Sequence, residues 1–303
     1  MSEKKYAYLE KYGIFRYSAP MNEYTSFKCG GPADFLITPA GYDEASEIIK
    51  YCVKENINYT VIGAGSNLLV GDKGIRGAVI RISEDMGIKG KIEIQGEFIY
   101  CDASVKKTDF IDFAVDNGFG GVEFAVGIPG SIGGGISMNA GTFMGTYIDI
   151  LKKIRYIDKS GNLKVRDMSS TDAHYRHMDL DDAVIITGGY FMLPRTEDAG
   201  LLRSKIEDII NDRKFKHPWT YPSAGSVFKN PDGHQSWKLV NDSGLKGFRI
   251  GDAMVSELHT NFIINDGNAK AADIRRLIEL IQKTVKEKFN VDMHTEIKMI
   301  GEF

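Results

Sequence analysis

Between Gly127 and Gly141 the chain carries six glycines in fifteen residues: Gly127-Ile128-Pro129-Gly130-Ser131-Ile132-Gly133-Gly134-Gly135, then Met138-Asn139-Ala140-Gly141. Glycine loses more freedom on ordering than any other residue, so such a stretch opposes folding unless its bare backbone is used. A plain loop gains nothing from it. A backbone surface laid against a flat, anionic ligand does, because amides then turn toward a phosphate with no Cβ in the way. Two smaller glycine pieces lie in the same half, Gly63-Ala64-Gly65-Ser66-Asn67 and Gly30-Gly31-Pro32-Ala33-Asp34. The Gly63 segment lacks the third glycine of GxGxxG, and the following LLVGDKG reads as strand and turn. A Rossmann site is therefore disfavoured. Alone, this segment fits a tight turn as well as a ligand loop.

Around these pieces the pattern alternates short helices and strands. Asp43 to Lys54 reads as a helix with Ala45, Ile48, Ile49 and Cys52 on one face. Strands are expected at Tyr59 to Gly63, 78–82, Lys91 to Gln95, Glu97 to Asp102, Leu151 to Asp158 and Asp182 to Leu193. Ser104 is a candidate N-cap for a helix that Gly118 ends. Glu197 to Phe215 is helical by spacing, stopped by Lys216-His217-Pro218. Beyond it come turns and short strands. A strong helix follows, with Asn268 as candidate cap and Ile274, Leu277, Ile278, Ile281 and Val285 as one stripe. A last strand spans Thr295 to Ile300. This is an α+β protein with its main boundary near residue 195.

At 303 residues, two or three packed units are expected. The net charge of −3 gives no footprint for nucleic acid, so an anionic ligand needs local devices. No apolar run approaches the roughly 20 residues that span a bilayer. Met1 to Tyr8 is charged and lacks the apolar core of a signal peptide. Cys29, Cys52 and Cys101 show no CxxC spacing and are expected as reduced thiols, with neither a disulfide nor a zinc site. The expectation from both observations is the cytoplasm, without membrane insertion or an obligate protein partner. The six histidines have no HExxH spacing, and no metal is expected.

The C-terminal part contains Tyr221-Pro222-Ser223-Ala224-Gly225-Ser226-Val227-Phe228-Lys229-Asn230-Pro231. No GxSxG surrounds Ser226, which argues against a hydrolase nucleophile. Its hydroxyl can still give a proton to a strong base such as a carbanion, although by composition a structural turn serine is the plainer reading. Arg176 and Glu296 are, by spacing alone, ordinary surface or ion-pair residues.

Taken together, the segments resemble one family. TSFKCGGPADF, GAGSNLLVGDKGIRG, VEFAVGIPGSIGGGISMNAG, YRHM, YPSAGSVFKNP, GLKGFRIGDAMVSELHTNFIIN and EIKMIGEF stand in the order found in UDP-N-acetylenolpyruvoylglucosamine reductases, from about Tyr24 to Glu302. The resemblance implies a two-subdomain FAD-binding fold of the vanillyl-alcohol oxidase type over 1–195 (subdomains about 1–83 and 84–195). It also implies an α+β substrate-binding domain over 196–303, with the last strand, about 295–303, a candidate to return to the FAD-binding part. It implies FAD and NADPH as cofactors and a nucleotide sugar as substrate, in peptidoglycan precursor synthesis. Gly63, Gly65, Ser66, Asn67, Gly127, Ile128, Pro129, Gly130, Ser131, Gly133, Gly134, Asn139, Ala140 and Gly141 would line the FAD. Arg176 would bind the enolpyruvyl carboxylate, Ser226 would donate the proton, and Glu296 would face it. Lys229 and Asn230 would reach the diphosphate, and Arg213 would serve cofactor or substrate. Gly135 stands where alanine is usual, and Thr142-Phe143-Met144 replaces Ala-Tyr-Gly. There is no room between Arg176 and Ser226 for a lid insertion, which marks the shorter subtype.

The implied chemistry suits these residues. Hydride added to the terminal carbon of an enolpyruvyl ether sends negative charge toward its carboxylate, where a fixed arginine stabilises it. Glu296 beside that charge is expected to be protonated. NADPH is expected to act and leave before the substrate binds, which gives ping-pong kinetics. Two other readings share parts of the sequence. An FAD-dependent alcohol or sugar oxidase would share the glycine-rich half but has no use for SAGSVFKNP. A nucleotide-sugar binder without flavin would have no need of Arg176, Ser226 and Glu296 together.

Overall fold

The computed structural model describes residues 5–84, 90–196 and 198–303. Helix and strand are mixed throughout, the α+β class expected from the sequence. By internal contacts the chain forms two units. The first comprises Met1–Tyr17, Phe35–Ala64 and Gly77–Asp212; the second comprises Ser18–Asp34, Gly65–Arg76 and Arg213–Phe303.

The first unit has two cores. One lies on a four-stranded sheet ordered Gly13–Pro20, Pro32–Pro39, Ile75–Arg81, Tyr59–Ile62, the last pair parallel. Helix α1 (Tyr42–Lys54) covers it, burying the face with Ala45, Ile48, Ile49 and Cys52 against Phe35, Ile37, Ala78 and Ile80. Those residues recur at helical spacing, so their joint burial is what stabilises the helix. The other core lies on an antiparallel five-stranded sheet ordered Leu163–Asp167, Leu151–Asp158, Ala183–Phe191, Phe98–Asp102, Ile92–Gln95. Helices α2 (Lys107–Asp116), α3 (Ile132–Ser137) and α4 (Tyr147–Ile150) contribute Phe110, Ile132, Ile136 and Tyr147 to it. Helix α5 (Ala199–Lys216) adds Leu202 and ends one residue before His217-Pro218. Of the helix expected from Glu197, that first residue lies outside the described residues.

The Ser104 cap is not realised. The residue preceding α2 is Lys106, without a side-chain cap. The backbone N–H of Ser104 donates to the Tyr42 hydroxyl, 3.4 Å away, and residues 103–107 are tied instead to the glycine-rich segment. Gly118, with φ of 74°, does follow the helix end.

In the second unit, α7 (Ala271–Phe289) packs on the antiparallel sheet Arg249–Ile250, Ala253–Val255, Ile263–Asn265, and α6 (Ser236–Asp242) packs against α7. The stripe Ile274, Leu277, Ile278, Ile281 and Val285 is buried there with Phe27, Cys29 and Leu69. Asn268 does not cap α7. The carboxylate of Asp72, nearly 200 residues earlier, accepts from the N–H groups of Ala271 and Ala272 at 2.9 Å each. Those donors have no partner inside the helix, and a negative charge is favoured at that end. The closing strand Lys298–Ile300 pairs in parallel with Leu68–Val70. Among the described residues no helix is long and apolar enough to cross a membrane.

Candidate active site

In the first unit the glycine-rich segment is clasped by residues 103–107. Ile132 and Gly133 donate to the carbonyls of Val105 and Ala103, both at 2.9 Å, and Lys107 donates to Gly130 at 3.2 Å. The glycines then divide by what a Cβ would meet. At Gly133 it would press on the Ala103 methyl at 2.8 Å, and at Gly135 on the Tyr147 ring at 2.5 Å, so both serve close packing. The Tyr147 ring thus fills the space that a side chain at 135 would need. At Gly134 a Cβ would meet only the Ser131 hydroxyl at 3.7 Å, and at Gly63 the same hydroxyl at 3.2 Å. Gly63, Ser131 and Gly134 thus form a patch of bare backbone around one hydroxyl. Ser131 also accepts from Gly134 at the start of α3.

Arg176 sits at the turn of the hairpin Ala173–His174/His177–Met178, with a left-handed φ of 56°. The Met138–Gly141 segment fixes it. The Arg176 Nη2 donates to the Gly141 carbonyl at 2.7 Å, and the Tyr175 ring lies 5.0 Å from its guanidinium. Asn139 is buried, donates to the His174 carbonyl at 3.2 Å and accepts from Ile148 at 3.1 Å. Its carboxamide therefore anchors the Arg176 hairpin to α4.

In the second unit Ser226 and Glu296, 70 positions apart, come onto paired segments. Glu296 donates its N–H to the Val227 carbonyl at 2.7 Å, and Lys229 donates to His294 at 2.9 Å. On the other side Ser226 bridges to Phe262, and Val227 donates to the Asn261 carbonyl at 2.8 Å. Buried Asn261 accepts from the Phe228 N–H at 3.0 Å and donates to the Phe228 carbonyl at 2.9 Å, locking this strand in register. Asn67 donates to the Glu296 carbonyl at 3.2 Å, so the Gly65–Asn67 piece borders Glu296. The oxygen of Asn230 accepts from Ser236 at the start of α6, while Ser236 donates to the Lys229 carbonyl at 2.6 Å. The Arg213 carbonyl accepts from the Trp219 indole at 3.1 Å.

Sequence reasoning missed Asn261, Asp72 and the His259 ring. The last stacks edge-on to Phe262, and burial pulls its pKa down. It also missed Lys107, whose ammonium is enclosed in the first unit and donates to the Pro129 carbonyl at 3.0 Å.

Comparison with known proteins adds the decisive observation. Residues 33–166 match an FAD binding domain family, and residues 217–300 match the C-terminal domain family of UDP-N-acetylenolpyruvoylglucosamine reductase. The reductase of that name from Clostridium kluyveri is 42% identical over 288 residues, 93% of this chain and 92% of its own. The Clostridium botulinum reductase is likewise 42% identical, over 93% and 91%. The chain belongs to the UDP-N-acetylenolpyruvoylglucosamine reductase family. A crystal structure of the Thermus caldophilus reductase superposes with a TM-score of 0.80 at 30% identity, covering 95% of this chain and 98% of that one.

For a member of this reductase family, the question is whether the first unit suits FAD. The Gly63–Ser131–Gly134 patch offers bare backbone and one hydroxyl to a flat group or a phosphate. A buried lysine with no acidic partner among the described residues offers positive charge. Both fit FAD. The three cysteines are free and buried, with the Cys29 and Cys52 thiols pushed up to about 12 by burial, which disfavours thiolate chemistry at them.

Proposed function

We propose that this chain reduces UDP-N-acetylglucosamine enolpyruvate to UDP-N-acetylmuramate with NADPH through FAD, in the cytoplasm, as a step of peptidoglycan precursor synthesis. The observation that carries the proposal is the pairing of Val227, next to Ser226, with Glu296, in a chain of this reductase family. The FAD-binding part is 1–195, with subdomains about 1–83 and 84–195, and 196–303 holds the nucleotide sugar. Gly63, Gly65, Ser66, Asn67, Gly127 to Ser131, Gly133, Gly134 and Asn139 to Gly141 would hold the FAD.

When bound, FAD supplies the two-electron chemistry, accepting a hydride from NADPH and releasing one to the terminal carbon of the enolpyruvyl group. Arg176 pairs with the carboxylate and stabilises the charge that collects there as the C–H bond forms. Its anchoring by Gly141 and by the Asn139-held hairpin supports that role, since a pre-fixed cation needs no reorganisation during the reaction. Ser226 passes its hydroxyl proton to the adjacent carbon, which is basic enough to take it from a weak acid. Glu296 acts in its protonated form and so adds no negative charge. A pH–rate profile showing no ionisation attributable to Glu296 would count against that state. Lys229 and Asn230 bind the diphosphate, and Arg213 serves cofactor or substrate.

The test is NADPH oxidation by the purified protein with and without UDP-N-acetylglucosamine enolpyruvate. The expected result is rapid oxidation only with the substrate. Slow oxidation unchanged by the substrate and coupled to oxygen uptake would refute the proposal.

A further inference from the structure

The mechanism above uses Arg176 but leaves idle a lysine enclosed in the first unit. Lys107 opens α2 and is 5% exposed. Its ammonium is 3.0 Å from the Pro129 carbonyl and 6.0 Å from the centre of the Tyr147 ring, and its own N–H holds the Gly130 carbonyl. The charge is therefore locked under the Pro129–Gly130 turn, within the glycine-rich segment.

A lysine this buried is ordinarily paired with an acid. Here burial lowers its pKa to about 7, and among the described residues the charge that acts on it is a second cation, Arg176, whose repulsion adds to that shift. One carbonyl and one aromatic ring face 6.0 Å away do not offset two neighbouring positive charges in a low dielectric. A negative group does, and the adjoining bare backbone is shaped to admit one.

We propose that Lys107 is an electrostatic positioning residue for the flavin cofactor, its ammonium holding negative charge of bound FAD at the Pro129–Gly130 turn. This rests on the FAD reading given above. The charge has two possible sources within FAD. The diphosphate is negative in both oxidation states, whereas the ring system gains negative charge only on two-electron reduction.

The test compares wild type, Lys107→Met and Lys107→Arg, each stripped of and reloaded with FAD. Two quantities are read: the Kd for oxidised FAD and the midpoint potential of the bound flavin. If the diphosphate is held, Lys107→Met weakens oxidised FAD about tenfold with the potential unmoved. If the reduced ring is held, the potential falls by about 30 mV for each tenfold loss of preference for the reduced form. Lys107→Arg retains most of the effect in either case. Wild-type values for both quantities in Lys107→Met would overturn the inference while leaving the reductase reading intact. Wild-type protein that binds no FAD would overturn both. A second measurement needs no variant: calorimetric titration of cofactor-free wild type with FAD near pH 8, in buffers of different ionisation enthalpy. Uptake of a proton is expected, because the Pro129 carbonyl, Tyr147 and Arg176 that face Lys107 supply no negative charge. No uptake would count against the inference.

Discussion

Replacing Lys107 with methionine is expected to stabilise the cofactor-free protein, by an amount that shrinks as pH rises. The lysine's ordinary pKa is 10.5, and burial followed by repulsion from Arg176 lowers it to about 7. The sign follows from linkage: the unfolded chain binds this proton more tightly, so protonation favours unfolding. Above pH 10.5 the group is neutral in both states and imposes nothing. As pH falls from 10.5 toward 7 the penalty grows, and below about 7 it is constant. At about 1.4 kcal/mol per pKa unit, it amounts to about 4 kcal/mol at pH 7 and about 2 kcal/mol at pH 9. Methionine fills a similar volume but loses the bond to the Pro129 carbonyl, worth about 1 kcal/mol. The variant is therefore expected to exceed wild type by about 3 kcal/mol at pH 7 and about 1 kcal/mol at pH 9. Urea unfolding of both cofactor-free proteins at the two pH values, followed by far-ultraviolet circular dichroism, reads the difference. A variant less stable at pH 7, or a gap that does not narrow at pH 9, would refute the reasoning. A residue that weakens the empty protein and strengthens the loaded one is what a binding role entails.

Two further substitutions test local claims. Gly135→Ala drives a methyl into the Tyr147 ring and should cost about 1–3 kcal/mol in the same urea assay, most of it recovered in the Gly135→Ala/Tyr147→Leu double variant relative to Tyr147→Leu. Asp72→Ala removes the cap of α7 and should lower stability by about 1–2 kcal/mol, read as a drop in Tm, with Asp72→Asn recovering part of it.

What the sequence disclosed and what it concealed divide along the range of the interaction. Helix α7 was legible because five apolar residues repeat at helical spacing, and burial follows from that repeat. Its cap was not, because Asp72 reaches it from nearly 200 residues away in sequence, and a nearby asparagine was the better local candidate. Ser104 failed as a cap for the same reason: its segment is held by the glycine-rich turn, which local sequence cannot show. The glycine density pointed to a ligand surface, yet only coordinates separate Gly133 and Gly135, which serve packing, from Gly134 and Gly63, which leave bare backbone. Ser226 and Glu296 gained meaning from motif order, while the hydrogen bonds that pair their segments, and Asn261 that holds the Ser226 segment, are tertiary. Lys107 was concealed most completely. A lysine in a first helical turn reads as solvated, and nothing in its neighbours along the chain announces that its ammonium is enclosed.

The central claim is that Ser226 protonates the enolpyruvyl carbon in a flavin-dependent reduction, and separating the two half-reactions of Ser226→Ala tests it most directly. Under anaerobic stopped flow, NADPH should bleach the variant's flavin at the wild-type rate. Reoxidation of the reduced variant by UDP-N-acetylglucosamine enolpyruvate should then be slower than wild type by roughly 10²–10⁴-fold. Equal losses in both half-reactions, or an unchanged second one, would contradict the account.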